Sequence, residues 1–183
     1  MFQFTQSVQL VSDTDQSDHR SLPARVTNPQ VAEVLFNIAT LLEMQRANPY
    51  RIAAYRNAAR NLLVLSEPVA AVLARNERLE MPGLGERLRR KITELVTTGR
   101  MTFYDDLCEE SLPEDVRALM AVRHVGPRTA LRLAGQLDIH SVAQLWEAAQ
   151  AHKLRQYYGF GVRSEQRLAD AARAVLLDEP TAA

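Results

Sequence analysis

The chain has 183 residues, room for one domain or two small ones, and its 22 basic and 22 acidic side chains leave no formal net charge. Seven glycines and a single cysteine, with an abundance of Ala, Leu and Arg, point to an all-α protein and exclude a disulfide framework or a Cys/His zinc cluster. Neither a signal peptide nor an apolar run of membrane-spanning length is present, so a cytoplasmic protein with no membrane partner is expected.

Along the chain, Phe2, Phe4, Val8 and Leu10 alternate loosely, as in a short strand, and Ser12 to Asp18 is polar and acidic. Residues 1–27 therefore read as a flexible leader. Asn28-Pro29 opens the first helix, with Asn28 as N-cap and Pro29 at the first helical position. Val31, Val34, Leu35, Ile38, Leu41 and Leu42 form its apolar face. Asn48-Pro49 repeats the signal for a second helix. It turns Ile52, Tyr55, Ala59, Leu62 and Leu63 inward and Arg51, Arg56 and Arg60 outward. Ser66-Glu67-Pro68 starts a short third helix to about Arg75.

A Pro82-Gly83-Leu84-Gly85 turn then leads into a fourth helix. Leu84, Leu88, Ile92 and Leu95 recur at helical spacing and form a buried face, with Arg87, Arg90 and Lys91 off it. Gly83 and Gly85 allow backbone N–H groups to approach a partner closely. The helix N-terminus adds unpaired donors and partial positive charge, so the turn suits an anion. Gly99 ends this helix.

Thr102 caps a helix from Phe103 to about Glu110, and Pro113 starts another to about Ala121. A second turn, His124-Val125-Gly126, follows. Ser141 caps Val142 to Ala151, and a third turn, Gly159-Phe160-Gly161, opens a last helix to about Leu177. Residues 179–183 read as a frayed tail. One unit, a glycine turn followed by a helix, thus occurs at three unequal spacings. Packing alone is a poor reason for three such turns, whereas DNA phosphate binding is a good one. The expected architecture is short-helix bundles in two subdomains, residues 28–100 and 101–178.

Charge distribution agrees. Residues 44–100 carry eleven Lys/Arg against five Asp/Glu, a net of +6, while each flank carries −3. The central segment is the expected anion-binding part. Only two basic residues are lysines, Lys91 and Lys153. An amine at position 91 can serve as a Schiff-base nucleophile, which guanidinium cannot. The competing reading is a phosphate contact like those of its arginine neighbours. Arg87, four residues before Lys91, and the adjoining Arg90 are expected to lower its pKa.

Other residues receive plainer readings. Cys108 is expected to be half-buried, and Trp146 and Tyr104 to be core. Tyr157 and Tyr158 are expected to pack around the third turn rather than stack on a base. His124 reads as a turn residue. His19, His140 and His152 lack partners by spacing, and Glu109-Glu110 and Glu114-Asp115 read as a solvated acidic face.

The Gly-apolar-Gly turns between helices resemble the helix-hairpin-helix motif. More closely, residues 28 to about 177 resemble the N-terminal part of family X DNA polymerases. The resemblance rests on Asn28-Pro-Gln-Val-Ala, Asn48-Pro-Tyr-Arg-Ile-Ala-Ala-Tyr-Arg-Asn-Ala-Ala, Met81-Pro-Gly-Leu-Gly, Lys91-Ile-Thr-Glu-Leu-Val-Thr-Thr-Gly and Leu154-Arg-Gln-Tyr-Tyr-Gly-Phe-Gly. It implies a deoxyribose-phosphate lyase domain followed by a domain that grips duplex DNA beside a gap. No Gly-Ser followed by an Asp-x-Asp strand is present, so it implies DNA binding and not polymerisation.

By this resemblance Lys91 falls on the Schiff-base lysine and Tyr55 on a tyrosine lining its pocket. Arg51, Arg87 and Arg100 fall near the 5′-phosphate, and Glu43 and Glu94 are candidate proton-handling carboxylates. The implied DNA contacts also include Arg56, Gly83, Leu84, Gly85, Arg90, Val125, Gly126, Arg128, Gly159, Gly161 and Arg163. The backbone carbonyls of Leu79, Met81 and Leu84, and of Met120, Val122 and Val125, would hold Na+ or K+ in the first two hairpins. No other cofactor is implied. The second hairpin departs from the family, with Arg123-His124 in place of Pro-Gly; a positive φ at position 124 would suit His poorly.

The expected partner is gapped, nicked or 5′-phosphate-bearing DNA, without base readout. A separate repair enzyme is a further partner left open. So are two other roles: an active 5′-deoxyribose-phosphate lyase, and a non-catalytic protein-interaction scaffold.

Overall fold

A computed structural model describes residues 26–178; the expectations for most of the leader and for the tail lie outside them. Nine α-helices and one 3-10 turn make up the described residues, which contain no strand. They are α1 (Asn28–Met44), α2 (Pro49–Val64), α3 (Val69–Ala74), α4 (Glu86–Thr98), α5 (Thr102–Ser111), α6 (Glu114–Leu119), α7 (Pro127–Leu137), α8 (Val142–Gln150), the 3-10 turn Leu154–Gln156 and α9 (Val162–Asp178).

The start of α1 differs from expectation. Its N-cap is Thr27, whose side chain and that of Gln30 form a reciprocal capping box. Asn28 lies inside the helix and serves a different one. Its amide oxygen accepts the Val69 N–H at 2.8 Å and its amide nitrogen donates to the Glu67 carbonyl at 3.0 Å. The N-cap of α3 is Pro68, which makes no side-chain cap bond, so Asn28 supplies the missing acceptor from α1. At α2 the expected cap holds, with Asn48 accepting from the Tyr50 N–H.

Val31, Leu35, Ile38, Leu41 and Leu42 are buried as the spacing predicts, and α1 becomes the spine of the molecule. It lies along α2 and also meets α4, α5 and α7. Farther along, α6 packs on α7 and α8 on α9. Buried residues from Val31 to Ala172 form one continuous cluster. Each fully buried Leu or Ile contributes roughly 1.5–3 kcal/mol. Leu63 does not join it: its side chain is 53% exposed at the end of α2. Cys108 is buried rather than half-buried.

Leu88, Ile92 and Leu95 of α4, with Leu84 of the turn before it, are buried as expected. Gly99 ends α4 at φ 77°, a left-handed value that glycine adopts without strain. Thr102 does not cap α5 but lies in its first turn, after Met101. Its N–H and hydroxyl both donate to the Glu94 carboxylate, at 2.8 and 2.6 Å, so a side chain of α4 caps α5. Among the described residues no helix is long and apolar enough to cross a membrane.

Candidate nucleic-acid interface

The three glycine turns share one backbone device. Two residues before the glycine that precedes each helix, φ is positive: 71° at Gly83, 72° at His124 and 88° at Gly159. Two of these positions hold glycine, and the third holds a β-carbon in a conformation that resists one. In each turn the apolar residue between is buried, Leu84, Val125 or Phe160, and anchors the hairpin in the core. What remains outward is backbone. The N–H groups of Gly85, Glu86 and Arg87 have no backbone acceptor among the described residues. They form a row of donors at the N-terminus of α4, suited to a phosphate.

The other two turns are poorer in donors. Pro127 opens α7 and removes one N–H, and Gly126 faces the Asn37 side chain of α1 closely enough that a β-carbon there would lie 2.7 Å from its amide oxygen. In the third turn the Gly161 N–H is spent on the Ser164 hydroxyl at 2.8 Å. Arg132 of α7 donates to the Tyr158 carbonyl and lies over the Phe160 ring, its guanidinium carbon 4.9 Å from the centroid. Nothing in the sequence singles out Arg132 among the twenty arginines, because its partners lie on the third turn. Tyr158 does not pack around this turn: it is 96% exposed.

Lys91 sits on α4, six residues past Gly85 and about 9 Å along the axis from the donor row. Its Nζ donates to the Tyr55 hydroxyl at 3.0 Å. It also stands over the Phe103 ring, 2.9 Å from the centroid. Tyr55 and Phe103 stack with centroids 6.1 Å apart, and the Arg51 guanidinium covers Phe103 at 5.1 Å. The amine is therefore walled by two aromatic rings and faces a guanidinium.

Burial of Lys91 and the nearby Arg51 charge lower its pKa to about 8, with Glu94 opposing them. The depressing charge comes from α2, not from Arg87 or Arg90 as expected along α4. Helix neighbours lie on the surface, whereas Arg51 faces the same ring as the amine. Burial also raises the Tyr55 hydroxyl above its usual range, with Arg51 pulling the other way. Phe103 was missed. A lone aromatic after a predicted cap carries no signal, since its role depends on how α5 folds back on α4.

The candidate carboxylates are both engaged elsewhere. Glu94 caps α5, and hydrogen bonds from the Thr102 hydroxyl and N–H hold it below the usual carboxylate range. Glu43 pairs with Arg56 at 2.9 Å and with Arg128, and the Arg56 contact lowers its pKa. Two of the expected DNA contacts, Arg56 and Arg128, thus share one anion. Arg100 pairs with Asp105 at 3.0 Å and Arg90 with Glu86 at 3.5 Å. Arg51, Arg87 and Arg163 are exposed and make no ion pair among the described residues. Gly83, Gly85, Gly159 and Gly161 are also exposed.

Two histidines expected to be alone have partners. His140 bonds Asp115 and, at 3.0 Å, Asp138, and those carboxylates raise its pKa. His152 bonds Glu165 at 3.3 Å. Asp115 therefore belongs to a tie between α6 and the loop before α8, not to a free acidic face. The spacing hid both pairs, because they join residues on different elements.

Residues 26–101 match the family model of a helix-hairpin-helix domain, and residues 116–174 match that of a SAM-like helix-hairpin-helix tandem. In both stretches the all-α chain is thus similar to helix-hairpin-helix proteins, and these matches support DNA binding. The chain is distantly similar to the DNA polymerase/3'-5' exonuclease PolX of Bacillus subtilis (strain 168), 25% identical over 141 residues. The aligned stretch is 77% of this chain and 24% of that enzyme, so the chain spans about a quarter of the relative's length.

Proposed function

We propose that the protein binds gapped, nicked or 5′-phosphate-bearing DNA through its backbone, in DNA repair, without reading bases. The observation that carries this reading is the donor row at Gly85, Glu86 and Arg87 on the same helix as the Lys91 pocket, within the segment of net charge +6. A terminal 5′-phosphate carries more negative charge than an internal diester. It suits a segment that offers free backbone donors at the N-terminus of α4 and two exposed arginines, Arg51 and Arg87, without an ion-pair partner among the described residues. Fluorescence anisotropy on duplexes with a one-nucleotide gap tests it. A 5′-phosphate at the gap is expected to bind about tenfold tighter than a 5′-hydroxyl, roughly one charge-assisted hydrogen bond. Equal affinity for the intact duplex would overturn the reading.

A second reading is favoured by the lowered pKa of the Lys91 amine: a 5′-deoxyribose-phosphate lyase. At pH 7 about a tenth of an amine with a pKa of about 8 is unprotonated and able to attack. The amine adds to C1′ of the ring-opened sugar aldehyde, and the carbinolamine loses water to give an imine. Transfer of the C2′ proton to a solvent water sends electrons into the imine, the C3′–O bond breaks to release the strand's phosphate, and water then hydrolyses the imine to free Lys91. The Tyr55 hydroxyl, in contact with Nζ, orients the amine and can pass a proton to the departing hydroxyl. Borohydride trapping on a pre-incised abasic duplex is expected to give a covalent adduct with wild type and none with Lys91→Ala or Lys91→Arg. Equal trapping by all three would remove Lys91 from the chemistry.

A further inference from the structure

The carbonyls expected to hold a monovalent cation in the first hairpin already have a cation. Arg89 of α4 donates from Nε to the Leu79 carbonyl at 2.9 Å and from Nη2 to the Leu84 carbonyl at 3.1 Å. The third carbonyl, that of Met81, accepts the Leu84 N–H at 3.1 Å and closes the turn. The remaining guanidinium nitrogen, Nη1, is paired with Glu86. All three nitrogens are therefore committed, and the side chain is only 14% exposed. A planar fork of fixed donors reaches two carbonyls at once in a way that a lysine ammonium does not. A sodium or potassium ion between Leu79 and Leu84 would have to displace it.

The same register position separates the three hairpins. Counting four residues past the glycine that precedes each helix gives Arg89 in the first, Ala130 in the second and Glu165 in the third. Ala130 is fully buried and brings no charge. In that hairpin the carbonyls of Met120 and Val125 accept no backbone or side-chain hydrogen bond among the described residues. They are left without a donor and so stay available to a cation from solution. Glu165 reverses the polarity of the third hairpin. Its carboxylate is 2% exposed, accepts the Arg155 N–H at 3.1 Å and pairs with the Arg155 guanidinium and His152. Burial alone would raise its pKa, but the Arg155 N–H and guanidinium outweigh that and hold it low. Arg155 stands six residues before Gly161, as Leu79 does before Gly85, yet here it is the N–H that is gripped rather than the carbonyl.

We infer that the Arg89 guanidinium permanently replaces the monovalent metal of the first hairpin, which therefore holds its phosphate-binding turn without Na+ or K+, while the second hairpin keeps the open metal position. The role of Arg89 is to shape the turn, not to contact phosphate. Its donors point to Leu79, Leu84 and Glu86, and the row at Gly85 to Arg87 is left free. A metal would leave coordination positions open to a phosphate oxygen, and the guanidinium does not. Phosphate capture by this hairpin then depends on backbone donors and surface arginines alone.

Thallous ion, which substitutes for K+ and scatters anomalously, tests this on crystals of the full chain without DNA, so the outcome is independent of the proposed function. Wild type is expected to show an anomalous peak at Met120, Val122 and Val125 and none at Leu79 and Leu84. Arg89→Ala is expected to gain a second peak at Leu79 and Leu84. Arg89→Met, which keeps the bulk and apolar stem, serves if the alanine variant does not fold. A wild-type peak at Leu79 and Leu84, or no peak there in either variant, would overturn the inference. In solution the melting temperature of Arg89→Met is expected to fall by several degrees when tetramethylammonium chloride replaces KCl at equal ionic strength. The fall is expected to exceed that of wild type under the same exchange; an equal shift in both proteins counts against it.

Discussion

Lys91 shows how little of an amine's environment need lie in its own helix. The amine is conspicuous in sequence because 20 of the 22 basic residues are arginine. Its environment is not conspicuous, for it is assembled from Tyr55 and Arg51 of α2 and Phe103 of α5. Burial is the larger cause of its lowered pKa and Arg51 the next. Removing either should return the amine toward its ordinary value. The neutral fraction then falls at every pH below about 8. In Phe103→Ala water reaches Nζ, and in Arg51→Ala the like charge is gone. Both are expected to cut the borohydride-trapping rate at pH 7 by about three- to tenfold, as a shift of up to one pKa unit would do. Both should also move the midpoint of the pH–rate curve above that of wild type. Since Phe103 also holds the ammonium over its ring, loss of the cation–π contact works the other way. An unchanged midpoint in Phe103→Ala, beside a raised one in Arg51→Ala, would mean that the lost cation–π contact offsets the gain in solvation.

At the scale of elements, periodicity and end signals carried most of the fold. The buried faces of α1 and α4, the Asn48 cap and the Gly99 stop follow directly from spacing and residue type. The errors fall where one element serves another. Asn28 caps α3 and Glu94 caps α5, and a linear reading assigns each cap to the nearest polar residue in the chain. The positive φ that suits a β-carbon poorly is present in the second hairpin: His124 has φ 72°. A left-handed residue with a β-carbon costs about 1–2 kcal/mol. Glycine recovers part of that while adding freedom to the unfolded chain. His124 is exposed and makes no hydrogen bond to offset the strain among the described residues. His124→Gly is therefore expected to stabilise the protein by about 1 kcal/mol, read from the urea midpoint at unchanged slope. A lower midpoint would show that the imidazole makes a contact worth more than the strain.

On the scale of the whole molecule, charge is arranged rather than accumulated. The chain is neutral, yet residues 44–100 carry +6, and α1 passes between that segment and the second hairpin. At the C-terminal end of α1, Glu43 holds Arg56 of α2 and Arg128 of α7 together. Both arginines are more than a third exposed, so the pairs contribute little to stability. Their consequence lies in binding, because a guanidinium facing a carboxylate is a weaker partner for phosphate. Glu43→Gln keeps the size and hydrogen-bonding capacity of the side chain but frees both cations. If DNA runs across this surface, the variant binds more tightly. Two further phosphate contacts would steepen the slope of log affinity against log salt by up to about 1.8. The gain should therefore be largest at low salt and fade as salt rises, because counterion release is its source. An anisotropy series on gapped DNA from 50 to 200 mM KCl separates the outcomes. A steeper slope places Arg56 and Arg128 on the DNA. Weaker binding at an unchanged slope would instead show that Glu43 matters by holding α1, α2 and α7 in register, and that the DNA path lies elsewhere.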